Sequence, residues 1–243
     1  MGNEGYMKQS IKTIKAAFPH TIAVLLGYLF MGMAFGILLV EKGYSPLLAF
    51  IMGVTILSGA MQFISITLLI GNFTPLYIIV MTVLVNFRYM FYGISMLQRF
   101  GLMGKRKWYM IFSLTDETYS LHCLVKAPSD IDPQDFALAI AALNHFYWIV
   151  GCTLGGILGS LVTFNTMGID FAMTALFVVV AVEQWQQADS HLPAILGALI
   201  SLIFLLIVGP QNFTLPAVIV IIIALFALQK RIVPLKKEGD GLE

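Results

Sequence analysis

Charge is what this chain lacks most. Of its 243 residues only 11% are charged, whereas 59% are hydrophobic, and the mean hydropathy is +0.89. An ordinary globular domain carries roughly 25% charged residues, and no soluble fold of this size could hide so much apolar surface. An outer-membrane barrel is excluded too, because its strands would alternate over about ten residues and this chain has long unbroken apolar runs. The fold class is therefore all-α: a polytopic membrane protein, since a helix satisfies its own backbone hydrogen bonds in lipid. Cysteine is also scarce. Cys123 and Cys152 both lie in apolar runs, where they read as small core residues rather than as a disulfide or a metal pair. Neither HExxH nor a paired-aspartate motif occurs, so the sequence points to no metal, no cofactor and no enzyme. G-x-x-x-x-G-K-[ST] is missing as well, which means the chain does not itself hydrolyse ATP. A net charge of +1 gives no reason to expect nucleic acid.

What is present is a series of about seven to eight apolar helical segments. They run roughly over 19–40, 46–71, 75–97, 107–125, 136–162, 170–186, 192–209 and 213–230. Residues 1–18 form a polar N-terminal segment, 19–230 a single transmembrane domain, and 231–243 a charged tail. The first apolar run ends at Glu41-Lys42 with no A-x-A site, so it reads as a span rather than a removed signal peptide. Pro75 and Pro216 mark helix starts, and the NFT triplets at 72–74 and 212–214 read as capping chemistry rather than sequons.

Lys and Arg gather at the N-terminus (Lys8, Lys12, Lys15), in the 98–107 loop (Arg99, Lys105, Arg106, Lys107) and at the C-terminus. The positive-inside rule places all three in the cytoplasm. Three segments precede the 98–107 loop and five follow it, however, and odd numbers of full spans cannot satisfy that rule. One segment in each part is thus expected to be re-entrant or broken. The best candidates are 46–71, interrupted by SGAMQ, and 170–186. If both re-enter, residues 19–97 and 136–209 form an inverted repeat of the secondary-transporter kind, and the acidic 126–135 loop is external.

Polar residues deep in apolar runs mark candidate function. Arg88, in NFRYMFYG, lies about 14 Å from the nearer segment end at helical rise. Exposed to lipid there it would cost at least about 2.5–3.5 kcal/mol, so it should face protein or a watery cavity. It binds either a substrate carboxylate or an acid in a permanent pair, the candidates being Asp116, Glu117 and Glu183. Asn86 lies two residues away on another side of the helix. Asp116 and Glu117, in TDETYS, fall near the middle of 107–125 and point about 100° apart. Asn144 and His145 lie in NHFYW, where His145 is either a proton relay or part of an interfacial aromatic belt. Glu183 is either a coupling carboxylate or a span end. Gln62 is a neutral donor and acceptor at depth, and Gly32 and Gly36 in MGMAFG make a GxxxG-type helix contact. This set suits a zwitterion with an aliphatic side chain, with a buried acid left over for coupling.

The ordered motifs AFPHTIAVLLGYLFMGMAFGILL, SGAMQF, NFRYMFYG, LTDETYSL and GIDFAMTALFVVV resemble the AzlC-type family over roughly residues 15–230. That family is the large subunit of bacterial branched-chain amino-acid exporters. The resemblance implies an exporter in the inner membrane for Leu, Ile, Val and Met, of the secondary type and driven by protons. It also implies a small AzlD-type membrane subunit of about four spans as partner. The N- and C-termini are expected in the cytoplasm. A passive channel is the competing class, although scattered single charges suit a binding pocket better than a charged ring.

Overall fold

The computed structural model describes residues 3–161, 178, 181–182, 185–186, 190–209 and 213–232. The chain divides into two compact units, residues 1–173 and 174–243. All regular structure among the described residues is helical. Three of these helices are long and apolar enough to cross a membrane, over Gln9–Glu41, Pro75–Ser95 and Pro133–Leu161.

In the first unit, α1 (Asn3–Glu41) continues the first apolar run back through the polar N-terminal segment. It packs along α8 (Pro133–Leu161), and the two run parallel. Ala17 shares a cluster with Phe136 and Ile140, Thr21 bonds the Tyr147 hydroxyl at 3.0 Å, and Tyr28 meets Trp148 edge-on at 5.2 Å. Further along, the backbones nearly touch. A Cβ on Gly36 would lie 2.3 Å from the Cys152 carbonyl oxygen, and one on Gly155 would lie 2.2 Å from that of Met33. The GxxxG face of α1 is therefore a true contact, met by a small-residue stripe on α8 (Gly151, Cys152, Gly155, Gly156, Gly159). Close approach of this kind is how helices associate where apolar burial gives no advantage over lipid.

Between α1 and α8 the chain makes two broken hairpins and one span. α2 (Pro46–Thr55) starts beside Gly156 and descends to the Ile149–Cys152 turn of α8. The helix breaks at 56–58. α3 (Gly59–Ile70) then climbs back, with Gly59 near Met31, Phe63 on Phe35, and the Leu69 carbonyl bonded by Tyr44 at 2.9 Å. Segment 46–71 thus enters and leaves at the same end of α1. Gln62, fully buried, holds the break: its amide nitrogen donates to the Met52 and Ile56 carbonyls at 2.7 and 3.0 Å, at the end of α2.

α4 (Pro75–Ser95), opened by the expected Thr74 cap and Pro75, runs back toward the N-terminal end of α1. The short α5 (Leu97–Gly101) and a 3₁₀ turn at Gly104–Arg106 follow. The expectation of one continuous segment over 107–125 is then corrected. That stretch is α6 (Lys107–Phe112) and α7 (Asp116–Leu124), separated at 113–115 because Thr115 caps a new helix by accepting from the Thr118 amide at 3.2 Å. Six and nine residues give about 9 and 13 Å, too short to cross. α6 runs inward to His145, the break after it meets Tyr28 through Thr115, and α7 runs back to Arg99 and Ala17.

The expectation that the 126–135 loop lies at the opposite end from the N-terminus and the 98–107 loop is overturned. Lys12 pairs with Asp130 at 2.6 Å and Arg106 with Asp135 at 2.5 Å, so this loop lies at the same end as the N-terminus and the 98–107 loop. The Lys12 ammonium, hydrogen-bonded to Asp130, holds that exposed carboxyl below its ordinary range. The second re-entrant stretch in the described residues is thus 107–124. Segment 170–186, the candidate named from sequence, lies almost wholly outside them. In the second unit, α9 (Leu192–Val208) and α10 (Thr214–Ile232) pack on each other.

Candidate functional site

The two hairpin tips come from opposite ends and stop at the same level, midway along α1 and α8. Three side chains tie them together. His145 on α8 accepts from the Tyr109 hydroxyl through Nδ1 at 3.1 Å and donates from Nε2 to the Val54 carbonyl at 3.3 Å, bridging α6 and α2. Trp148 lies on Gly59, the first residue of α3. Asn144 donates to the Thr118 hydroxyl in the first turn of α7 at 3.0 Å. The NHFYW cluster is therefore not a simple interfacial belt: it spans the meeting point of two broken helices.

Arg88 finds its partner here. Its guanidinium lies 2.9 Å from Asp116 Oδ2, while the Tyr92 hydroxyl, one turn further along α4, donates to Oδ1 at 2.8 Å. The Arg88 guanidinium also stands over the Tyr89 ring at 5.3 Å, and Tyr89 reaches Ser58 at the other tip. Of the two sequence readings of Arg88, the acid pair is the one formed. Asp116 is not in the middle of a helix but in the first turn of α7, where the helix dipole favours an anion.

Glu117 points elsewhere, as its 100° offset requires. Its Oε2 accepts from the Tyr28 hydroxyl at 2.8 Å, and its side chain is exposed on this chain. Tyr28 also contacts Thr115 Oγ1 at 2.7 Å, Thr115 donates to Thr118 at 3.0 Å, and Thr118 accepts from Asn144. A chain of buried hydroxyls thus links Glu117 to Asn144 through three helices. Tyr28, Thr115 and Thr118 escaped the sequence reading. Their partners are up to 89 residues distant, and hydroxyl residues in apolar helices are too common to stand out singly.

The remaining predicted residues are placed less centrally. Asn86 donates to the Thr82 carbonyl at 2.9 Å on its own helix. Gln62 is committed to the α2 end, with Cys152 Sγ at 3.7 Å from its Oε1. Glu183 lies outside the described residues. Cys152 is buried as expected, but Cys123 is exposed. A separate cavity of about 570 Å³ opens at the N-terminal ends of α1 and α8, beside Thr13, Arg106 and Asp135.

A parallel helix pair, two opposed broken hairpins and a charged pair at their junction define a polytopic helical membrane protein of the transporter class. The chain belongs to the AzlC family: the family model "AzlC protein" matches residues 23–162. It is accordingly a transport protein and not an enzyme. It is 40% identical to the "Branched-chain amino acid transport protein AzlC" of Bacillus subtilis, over 92% of this chain and 87% of that one. It is also 40% identical to an uncharacterized membrane protein of Helicobacter pylori, over 93% of this chain and 99% of that one. A more distant likeness, 25% over 74% of this chain and 77% of the other, is to the "Inner membrane protein YgaZ" of Escherichia coli. No solved structure matches the chain.

Proposed function

We propose that this chain is the large subunit of a proton-coupled exporter of branched-chain amino acids, with Leu, Ile, Val and Met as the substrate range. It acts in the bacterial inner membrane together with a small AzlD-type subunit. The observation that carries the substrate is the 40% identity, over nearly the whole chain, to a protein named for branched-chain amino-acid transport. The inner-membrane location draws support from the name of the Escherichia coli relative. The Lys and Arg residues clustered at the N-terminal end of α1 support a cytoplasmic side for that end, by the positive-inside rule. The C-terminal Lys and Arg residues support the same side for the tail.

Proton coupling draws on hydrogen-bond counting. Tyr28 owns one hydroxyl proton but touches both Glu117 and Thr115. With Glu117 ionised, Tyr28 donates to the carboxylate, Thr115 donates to Tyr28, and the Thr118 hydroxyl turns to donate to Thr115. With Glu117 protonated, the carboxyl donates to Tyr28, Tyr28 donates to Thr115, and Thr115 keeps Thr118. One proton on Glu117 therefore reverses the hydroxyl donors as far as Thr118, the residue that Asn144 bonds. Asp116, held by Arg88 and Tyr92, stays fixed meanwhile. Export follows if a proton enters as an amino acid leaves.

The partner draws support from exposure. Glu117 is exposed midway along the helices, and α4 presents Leu76, Ile79, Val83, Met90 and Ile94 outward. A carboxylate at that depth needs polar cover, which a small membrane subunit seated on α4 and α7 would give.

The test is leucine efflux from preloaded membrane vesicles, with and without the small subunit and with and without a proton gradient. Efflux that requires both is expected. Flux independent of the gradient would instead identify a facilitator or channel.

A further inference from the structure

Two polar atoms at the hairpin junction have no partner among the described residues: Trp148 Nε1 and Asn144 Oδ1. Their side chains are 3% and 1% exposed. The first can only donate and the second can only accept, and native proteins seldom leave such groups buried and unmet. They stand one turn apart on α8, about 6 Å at helical rise. Their side chains lie against different tips. The Cη2 and Cζ2 atoms of Trp148, on the edge that continues to Nε1, lie 3.3 and 3.8 Å from a Cβ placed on Gly59. Asn144 is anchored by its amide nitrogen to Thr118 at 3.0 Å.

The two tips also differ in charge. The first turn of α3 contains no acid, so the Gly59 and Ala60 amides, which have no preceding turn to bond, leave its positive end open to an anion. The first turn of α7 already carries Asp116 and Glu117 and is closed to an anion. One tip therefore offers donors and the other offers acceptors, across the span of a molecule bearing an anion and a cation on neighbouring atoms. Met31 Cε, 3.8 Å from the Gly59 position, supplies an adaptable apolar wall of the kind that tolerates several aliphatic shapes.

We propose that the junction is a zwitterion site. The carboxylate of an α-amino acid is taken by the Trp148 indole N–H with the Gly59 and Ala60 amides. Its ammonium is taken by Asn144 Oδ1. The proposal rests on the reading that the chain moves an amino acid, and it adds which groups recognise which end.

The experiment measures binding of labelled leucine to the purified protein with its small subunit in nanodiscs. Leucinamide, without the carboxylate, and 4-methylpentanoate, without the ammonium, compete. Wild type should prefer leucine over each by about tenfold or more, the worth of one charge-assisted bond. Trp148→Phe removes Nε1 together with the outer ring edge that meets Gly59. It should weaken leucine about tenfold while leaving leucinamide unchanged. Asn144→Leu should weaken leucine and leave 4-methylpentanoate unchanged, and Asn144→Asp, which keeps the acceptor, should restore leucine. If wild type binds leucine but the variants weaken all three probes equally, or none, the zwitterion site is wrong and amino-acid transport stands. If wild type binds none of the probes, the amino-acid reading falls with it.

Discussion

Arg88 makes sense only beside Asp116 and Tyr92. A guanidinium on α4 could not stay charged at this depth without a partner, and Asp116 supplies one whose own charge is favoured by the start of α7. The neighbouring acid does different work because it points away. Glu117→Gln, locked in the neutral hydrogen-bonding pattern, is expected to retain leucine exchange across vesicles but to lose net efflux driven by a proton gradient by about a hundredfold, the range of a lost proton-transfer group. Exchange and net efflux measured side by side check this, and net efflux at the wild-type rate would remove Glu117 from coupling. The acids and the arginine were legible in the sequence because charge is so rare there. Tyr28, Thr115, Thr118 and Trp148 were not, since each becomes informative only through a neighbour brought close by the fold.

At the scale of elements, small residues and caps decide the architecture. The α1–α8 contact leaves no room for a methyl at Gly155, whose added Cβ would strike the Met33 backbone. Gly155→Ala is expected to destabilise the protein by about 1–3 kcal/mol, the usual penalty for overpacking. Gly93→Ala, on a helix with open space around it, should be neutral or stabilising by up to about 1 kcal/mol. Thermal unfolding of both variants in detergent distinguishes them, and equal behaviour would contradict the packing. The first helix break was legible: Ser58-Gly59-Ala60 followed by a buried Gln62 is an interruption with its own hydrogen-bond donor. The second was hidden. Ser113-Leu114-Thr115 sits in a run that reads as continuous, and Thr115 lacks a Glu or Gln three residues on, so no capping box announces it. That omission placed Asp116 and Glu117 in mid-helix when they begin one.

For the whole molecule, counting apolar segments exposed a topological conflict and correctly required broken helices. It could not say which ones, because hydropathy measures greasiness and not direction. Two ion pairs, Lys12–Asp130 and Arg106–Asp135, settle where the 126–135 loop lies, and no periodicity in the sequence predicts a contact across such distances. The resulting arrangement has one hairpin entering from each end of the α1–α8 pair, with α4 carrying Arg88 past both tips. Its central claim is that α4 and the second hairpin work as one unit through their charge pair. The most direct test is leucine efflux at matched membrane levels for Arg88→Ala, Asp116→Ala and the exchanged pair Arg88→Asp with Asp116→Arg. Both single variants should fall at least about tenfold, as removal of one partner of a paired charge requires, and the exchanged pair should recover a substantial part of the loss. Normal efflux by Arg88→Ala would contradict the account.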